Sequence, residues 1–169
     1  MSDMFDNDIP QPQPAIETGK STLLDQLRTT LKKKVERPAV LLDVPERPGL
    51  YIRVSPNITQ NQMKAWRKNA GEDSKNGIDA TKFATQVIAF TTTGFFLNGE
   101  EVLDEQGTSL TFAHPIVKDM TDSSRPWPDA VVRLYGLDPH VEAAALSIME
   151  AAGWGDSVDA NDENPTNSQ

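Results

Sequence analysis

The chain has no cysteine and only two histidines, His114 and His140, in 169 residues. Without thiols there is no disulfide framework, no thiolate nucleophile and no cysteine-based zinc site, and two isolated imidazoles are too few for a histidine-based metal site. Positive charge is also scarce. Sixteen Lys and Arg face twenty-five Asp and Glu, giving a net charge of -9 and a pI near 4.6. That balance is a poor match for DNA, RNA or an anionic membrane. No apolar run approaches the roughly 18 residues of a membrane-spanning helix, and residues 1–8 are acidic where a secretory signal is basic and then apolar. The expectation is an acidic protein with no membrane span, working in a reducing cytoplasm. With 37% hydrophobic residues, one modest core is the most it can build.

Charge falls in blocks. Residues 1–18 carry four acids and no base, whereas residues 19–75 carry twelve basic and six acidic residues, a local basic island. From residue 76 onward four bases face fifteen acids. The first block also holds Pro10, Pro12 and Pro14 and little to bury, so 1–18 reads as an extended or disordered arm. Residues 156–169 have one aliphatic side chain larger than Ala, Val158, and read as a disordered acidic tail. Residues 19–155 are left as a single domain.

Within that domain the punctuation is clear. Ser21 is placed to cap a helix over 22–36 that carries Leu24, Leu27, Leu31 and Val35 on one face, with Lys32, Lys33 and Lys34 at its C-terminal end and Pro38 as the stop. Two β-favouring runs, 39–44 and 50–54, flank a loop containing Pro48-Gly49 and predict a hairpin. Thr59-Gln60-Asn61-Gln62 is a capping box that predicts a helix from Gln60 to a stop at Gly71. Asp79 is placed to cap a helix through Phe90, with Phe83, Val87 and Phe90 on one stripe and Ala84 and Ile88 on the next. Asn98-Gly99 marks a second hairpin with a type I′ turn. Pro126, Pro128 and Gly136 bracket a short helix, and Asp138-Pro139 opens a longer one through Ala152 to Gly153. The fold class expected is α+β, a helix-rich small domain with two short β-hairpins.

Chemistry is harder to find. Gly19-Lys20-Ser21 resembles the end of a phosphate-binding loop, but Pro14 stands where that loop needs its first glycine and no hydrophobic strand precedes it. His114 and His140 have no nucleophile motif beside them and read as solvated or capping residues. The acid pairs Glu100-Glu101 and Asp104-Glu105 read as solvated charge beside a turn, and the acids from Asp156 to Glu163 lack the glycine and bidentate Glu of a calcium loop. No catalytic, cofactor-binding or metal-ligating residue is assigned, and no cofactor is expected. Candidate partner-binding residues are Leu24, Leu27, Leu31 and Val35 on the first helix, and Trp66, which with Arg67 and Lys68 has the composition to stack on and grip a strand.

Four segments carry a family likeness: 48–59 (Pro-Gly-Leu-Tyr-Ile-Arg-Val-Ser-Pro-Asn-Ile-Thr), 66–73 (Trp-Arg-Lys-Asn-Ala-Gly-Glu-Asp), 98–102 (Asn-Gly-Glu-Glu-Val) and 135–145 (Tyr-Gly-Leu-Asp-Pro-His-Val-Glu-Ala-Ala-Ala). Across 44–155 the chain resembles the tail assembly chaperones of long-tailed, non-contractile (siphovirus-type) actinobacteriophages. The resemblance implies a non-enzymatic protein that binds the tape measure protein and keeps it soluble and extended while tail-tube subunits polymerise around it. It also implies a place in the cytoplasm of the infected host and absence from the mature virion. The partners it implies are the tape measure protein, the tail-tube protein and a longer form of the chain made by programmed frameshift. The competing expectations are a structural virion protein, such as a head-tail connector or tail-tube component, and a small regulatory nucleic-acid binder using the basic island. No membrane partner is expected.

Overall fold

The structure is a computed structural model that describes residues 12–125 and 127–155, with side chains from Thr22 onward. Contacts divide the chain into two units, one ending at Glu36 and one beginning at Arg37. The α+β unit therefore starts at Arg37 and not at residue 19.

Among the described residues the first unit contains one helix, α1 (Pro12–Lys32). It begins well ahead of Ser21, which lies inside it, so the cap expected at Ser21 is not the start of the helix. Pro12 and Pro14 fall in the first turn, where backbone N–H groups have no intrahelical acceptor and a missing donor costs nothing. The expected arm over 1–18 thus contributes its last seven residues to α1, while residues 1–11 and the tail 156–169 lie outside the described residues. Gly19-Lys20-Ser21 sits within the helix and forms no loop. The end also differs: α1 stops at Lys32, not Glu36, closing with a tight Lys33 N–H to Thr30 carbonyl bond of 3.3 Å. The β-branched Val35 and the extended bias of the residue preceding Pro38 oppose another turn.

The second unit is a four-stranded antiparallel sheet in the order β1 (Val40–Asp43), β2 (Leu50–Val54), β3 (Thr92–Leu97), β4 (Glu100–Val102). Between β2 and β3 come the helices α2 (Gln60–Asn69) and α3 (Ala80–Thr91). After β4 follow α4 (Pro115–Met120), α5 (Pro128–Tyr135) and α6 (Asp138–Ala152). Both expected hairpins form, and they are fused: β2 pairs with β3 in a register that sets Ile52 opposite Phe95, so the class is α+β with one sheet in place of two separate hairpins. A register shift between Arg53 and Val54 bends β2 where α3 hands over to β3.

Local starts and stops follow the side-chain chemistry. The Thr59 hydroxyl accepts the Gln62 N–H at 3.2 Å while the Gln62 amide oxygen accepts the Thr59 N–H at 2.9 Å, the complete capping box. The helix closes in a Schellman arrangement in which Glu72 N–H reaches the Arg67 carbonyl and Gly71 N–H the Lys68 carbonyl. Asp79 accepts the Lys82 N–H to open α3. Asn98 and Gly99, at φ 52° and 88°, form the type I′ turn. Gly136 and Gly153 end α5 and α6 in the left-handed conformation.

The core draws on residues from Val40 onward. Ile52, Val54 and Phe95 from one sheet face meet Met63 and Trp66 of α2, Val87 and Ile88 of α3, Val131 and Tyr135 of α5, and Val141 and Ile148 of α6. Each fully buried aliphatic or aromatic side chain contributes about 1.5–3 kcal/mol relative to exposure. Gln86 is buried among them and fully used: its amide nitrogen donates to the Trp66 carbonyl at 3.0 Å and its oxygen accepts from Asn69 at 3.1 Å.

Candidate functional site

The helix α1 carries the expected apolar stripe, and it is exposed. Leu27 and Leu31 are 53% and 74% accessible, with Leu23 and Leu24 in the same state. Arg28 and Lys32 flank the stripe, Arg28 paired to Asp25 at 3.0 Å on the exposed surface. Val35 departs from the expectation. At 96% exposure it lies beyond the end of α1, so it does not share the helical face with the three leucines.

Trp66 also departs from it. Its ring is 4% exposed and stacks on Phe90 at 6.1 Å, which in turn meets Trp127 at 5.1 Å. An indole on the buried face of α2 cannot stack on an incoming strand, so Trp66 is a core residue and leaves the candidate surface. Met63, one turn earlier, is buried on the same face, which fixes the direction that Trp66 must take. Phe90, expected on the buried stripe of α3, is half exposed instead, because Thr91 and Ile88 take the inner positions at the helix end.

Of the acids beside the second hairpin, Glu100 and Glu105 are exposed as expected, whereas Glu101 and Asp104 are bound groups. Arg53 grips Glu101 through two N–H···O contacts of 3.1 Å, and the Ser109 hydroxyl donates to the same carboxylate at 2.6 Å. The Ser109 hydrogen bond first and Arg53 second hold the Glu101 carboxyl below its usual range. Asp104 accepts the backbone N–H groups of Thr108 and Gln106 and faces His114 Nε2 at 3.0 Å. Its carboxyl is likewise held down, by the Thr108 N–H most and by His114 next. His114 caps α4, its Nδ1 accepting the Ile116 N–H at 3.1 Å, which leaves the ring proton on Nε2 for Asp104. Acids held ionised and saturated with donors are poor proton donors near neutral pH. They fasten the loop between β4 and α4.

Asp43, His140 and Ser147 line one small cavity of about 130 Å³, yet no hydrogen bond joins them. Ser147 donates to the Ala143 carbonyl at 3.2 Å, and His140 Nδ1 has no partner among the described residues. Tyr135, beneath the sheet, has its phenol pKa pushed up by burial and then by the Asp43 charge, so it stays neutral. Among the described residues no group of three or more His, Asp or Glu side chains is arranged to hold a metal ion. No helix among them is long and apolar enough to cross a membrane.

Two apolar concavities remain, both formed within the second unit. A groove of about 510 Å³ runs between α3 and α6, with Phe83, Leu146, Met149 and Trp154 in its walls and Glu142 and Glu150 on the same face of α6. A pocket of about 590 Å³ opens at the end of the sheet, where α4 and α5 leave core-facing side chains of β2, β3 and β4 uncovered. Sequence reasoning missed both. Each is made by residues far apart in the chain, and nothing local announces the pairing.

Comparison with protein-family models, with curated proteins and with solved structures gives no match.

Proposed function

We propose that the chain is a tail assembly chaperone of a long-tailed bacteriophage, which binds the tape measure protein and keeps it soluble and extended while the tail tube polymerises. The observation that carries this reading is the leucine stripe of α1, where three to four large apolar side chains on one helical face stand in solvent between basic neighbours. Such a face is suited to lie against an amphipathic helix of a client. The groove between α3 and α6 offers a second apolar surface, edged by Glu142 and Glu150. Binding of this sort needs contact area and a charged periphery, and no bond in the client is made or broken.

The segments that carry the family likeness support the reading through the scaffold. Residues 48–59 form the first hairpin's turn, strand β2 and the cap of α2; residues 66–73 form the end of α2; residues 98–102 form the type I′ turn and β4; residues 135–145 join α5 to α6. In this reading the protein acts during assembly in the cytoplasm of the infected host and leaves before the particle is complete. Mass spectrometry of infected-cell lysate and of purified virions tests it. The chain is expected in the lysate and absent from the virion, and stoichiometric recovery from virions would make it a structural component instead.

A further inference from the structure

The geometry points to the pocket between the sheet, α4 and α5 as a docking site for an amphipathic segment of a partner protein whose apolar side chains are flanked by carboxylates. The floor is apolar and buried, built from Phe95, Leu110, Val117 and Leu134. The rim adds Leu97 and Met120, the latter 66% exposed. An exposed, flexible thioether beside an apolar opening adapts to side chains of differing shape, which suits a protein segment better than a small rigid ligand.

Charge decides which segment. Among the described residues the charged side chains lining the pocket are Arg47 and Arg133, with no acid beside them, in a chain whose net charge is -9. Arg47 is held in place: its Nε donates to the Leu134 carbonyl at 2.9 Å and one terminal nitrogen to the Arg133 carbonyl at 3.1 Å, at the C-terminal end of α5. Two of its five N–H groups are spent there and three remain for an incoming carboxylate. Arg133 is exposed, and neither guanidinium has a carboxylate within ion-pair distance among the described residues. A cation fixed before binding loses little freedom when the partner arrives, so its contribution goes into selecting charge. The groove between α3 and α6 has the opposite character, lined by Glu142 and Glu150 with no base among the described residues. The two apolar sites therefore select differently, and the pocket takes the acid-flanked segment. This inference stands apart from the identity of the client: it names a chemistry that the tape measure protein or any other partner must present.

The test uses the full chain and two fluorescein-labelled helical peptides that share one leucine stripe, one flanked by Glu and the other by Lys. Anisotropy titrations at low ionic strength are expected to give at least about tenfold tighter binding of the Glu peptide, with the preference shrinking as salt is added. Arg133→Glu replaces an unpaired surface cation with an anion that offsets Arg47, so its thermal midpoint should match the parent while its preference for the Glu peptide falls away. Lys64→Glu makes the same change of charge at an exposed lysine of α2, outside the pocket and the α1 stripe, and should leave the preference intact. Equal affinity for both peptides, or binding of neither, overturns the proposal. So does a preference that survives Arg133→Glu undiminished or that is lost with Lys64→Glu. A chain that binds the Glu peptide but ignores the tape measure protein would retain this inference and lose the chaperone reading.

Discussion

The hydroxyl of Thr59 and the side chain of Gln62 decide where α2 starts, through two reciprocal hydrogen bonds of 3.2 and 2.9 Å. Thr59→Ala deletes the acceptor and leaves the Gln62 N–H to water, at a cost of about 0.5–2 kcal/mol. Urea denaturation midpoints measure this directly, and an unchanged midpoint would mean that the cap does not hold the helix. Asp129 supplies a pH-dependent counterpart. It accepts the Ser124 hydroxyl, the Arg125 N–H and the Arg125 guanidinium, and these, Ser124 foremost, lower its pKa to about 2. In the unfolded chain the same carboxyl titrates near about 3.9. The folded pKa is the lower one, so the stabilisation is complete above about pH 4 and is lost as the pH falls toward 2. The stability difference between the parent and Asp129→Asn should therefore shrink over that interval. A difference that stays constant from pH 5 to 2 would show that the ionised carboxylate is not what holds this corner.

At the scale of elements, starts and stops that rest on local bonds were legible in the sequence. The caps at Thr59 and Asp79, the Asn98-Gly99 turn and the glycines after α5 and α6 all involve atoms within a few residues of each other. What sequence did not disclose is tertiary. The pairing of β2 with β3 joins strands separated by two helices, and no periodicity in either strand names its partner. Trp66 stood at helical spacing that serves a core face and an exposed one equally, and only the packing of Phe90 and Trp127 around it resolves the choice. The start of α1 was obscured by prolines that usually break helices and here occupy its first turn. The join between the two hairpins can be tested at Gly49, which has φ +83° and accepts the Asn98 N–H at 2.9 Å. A Cβ there meets the Asn98 side chain, whereas one at Gly99, with φ +88°, meets nothing. Both alanine substitutions carry left-handed backbone strain of about 1–2 kcal/mol. Gly49→Ala is expected to cost more than Gly99→Ala in urea denaturation, and equal costs would mean that the two turns do not press on each other.

For the whole molecule, the net charge of -9 conceals surfaces of opposite sign. The stripe on α1 is edged by Arg28 and Lys32, the sheet-end pocket by Arg47 and Arg133, and the groove between α3 and α6 by glutamates. The stripe was visible in the sequence because helical periodicity alone defines it. The pocket was not, since Arg47 and Arg133 lie 86 positions apart and are brought together by backbone carbonyls at the end of α5. In the proposed function the stripe is the face that a client uses. Because Leu27 and Leu31 are exposed, replacing both with Asp should change the unfolding free energy from urea denaturation by no more than about 1 kcal/mol. The decisive measurement of the proposed function is co-expression of the chain with a tape measure protein encoded beside it, followed by affinity purification on a tag carried by the chain. The parent is expected to keep the tape measure protein soluble and to carry it through purification, and the folded Leu27→Asp, Leu31→Asp variant to lose it. A tape measure protein that is insoluble or unbound beside the parent, or one that co-purifies equally with the variant, would contradict the account.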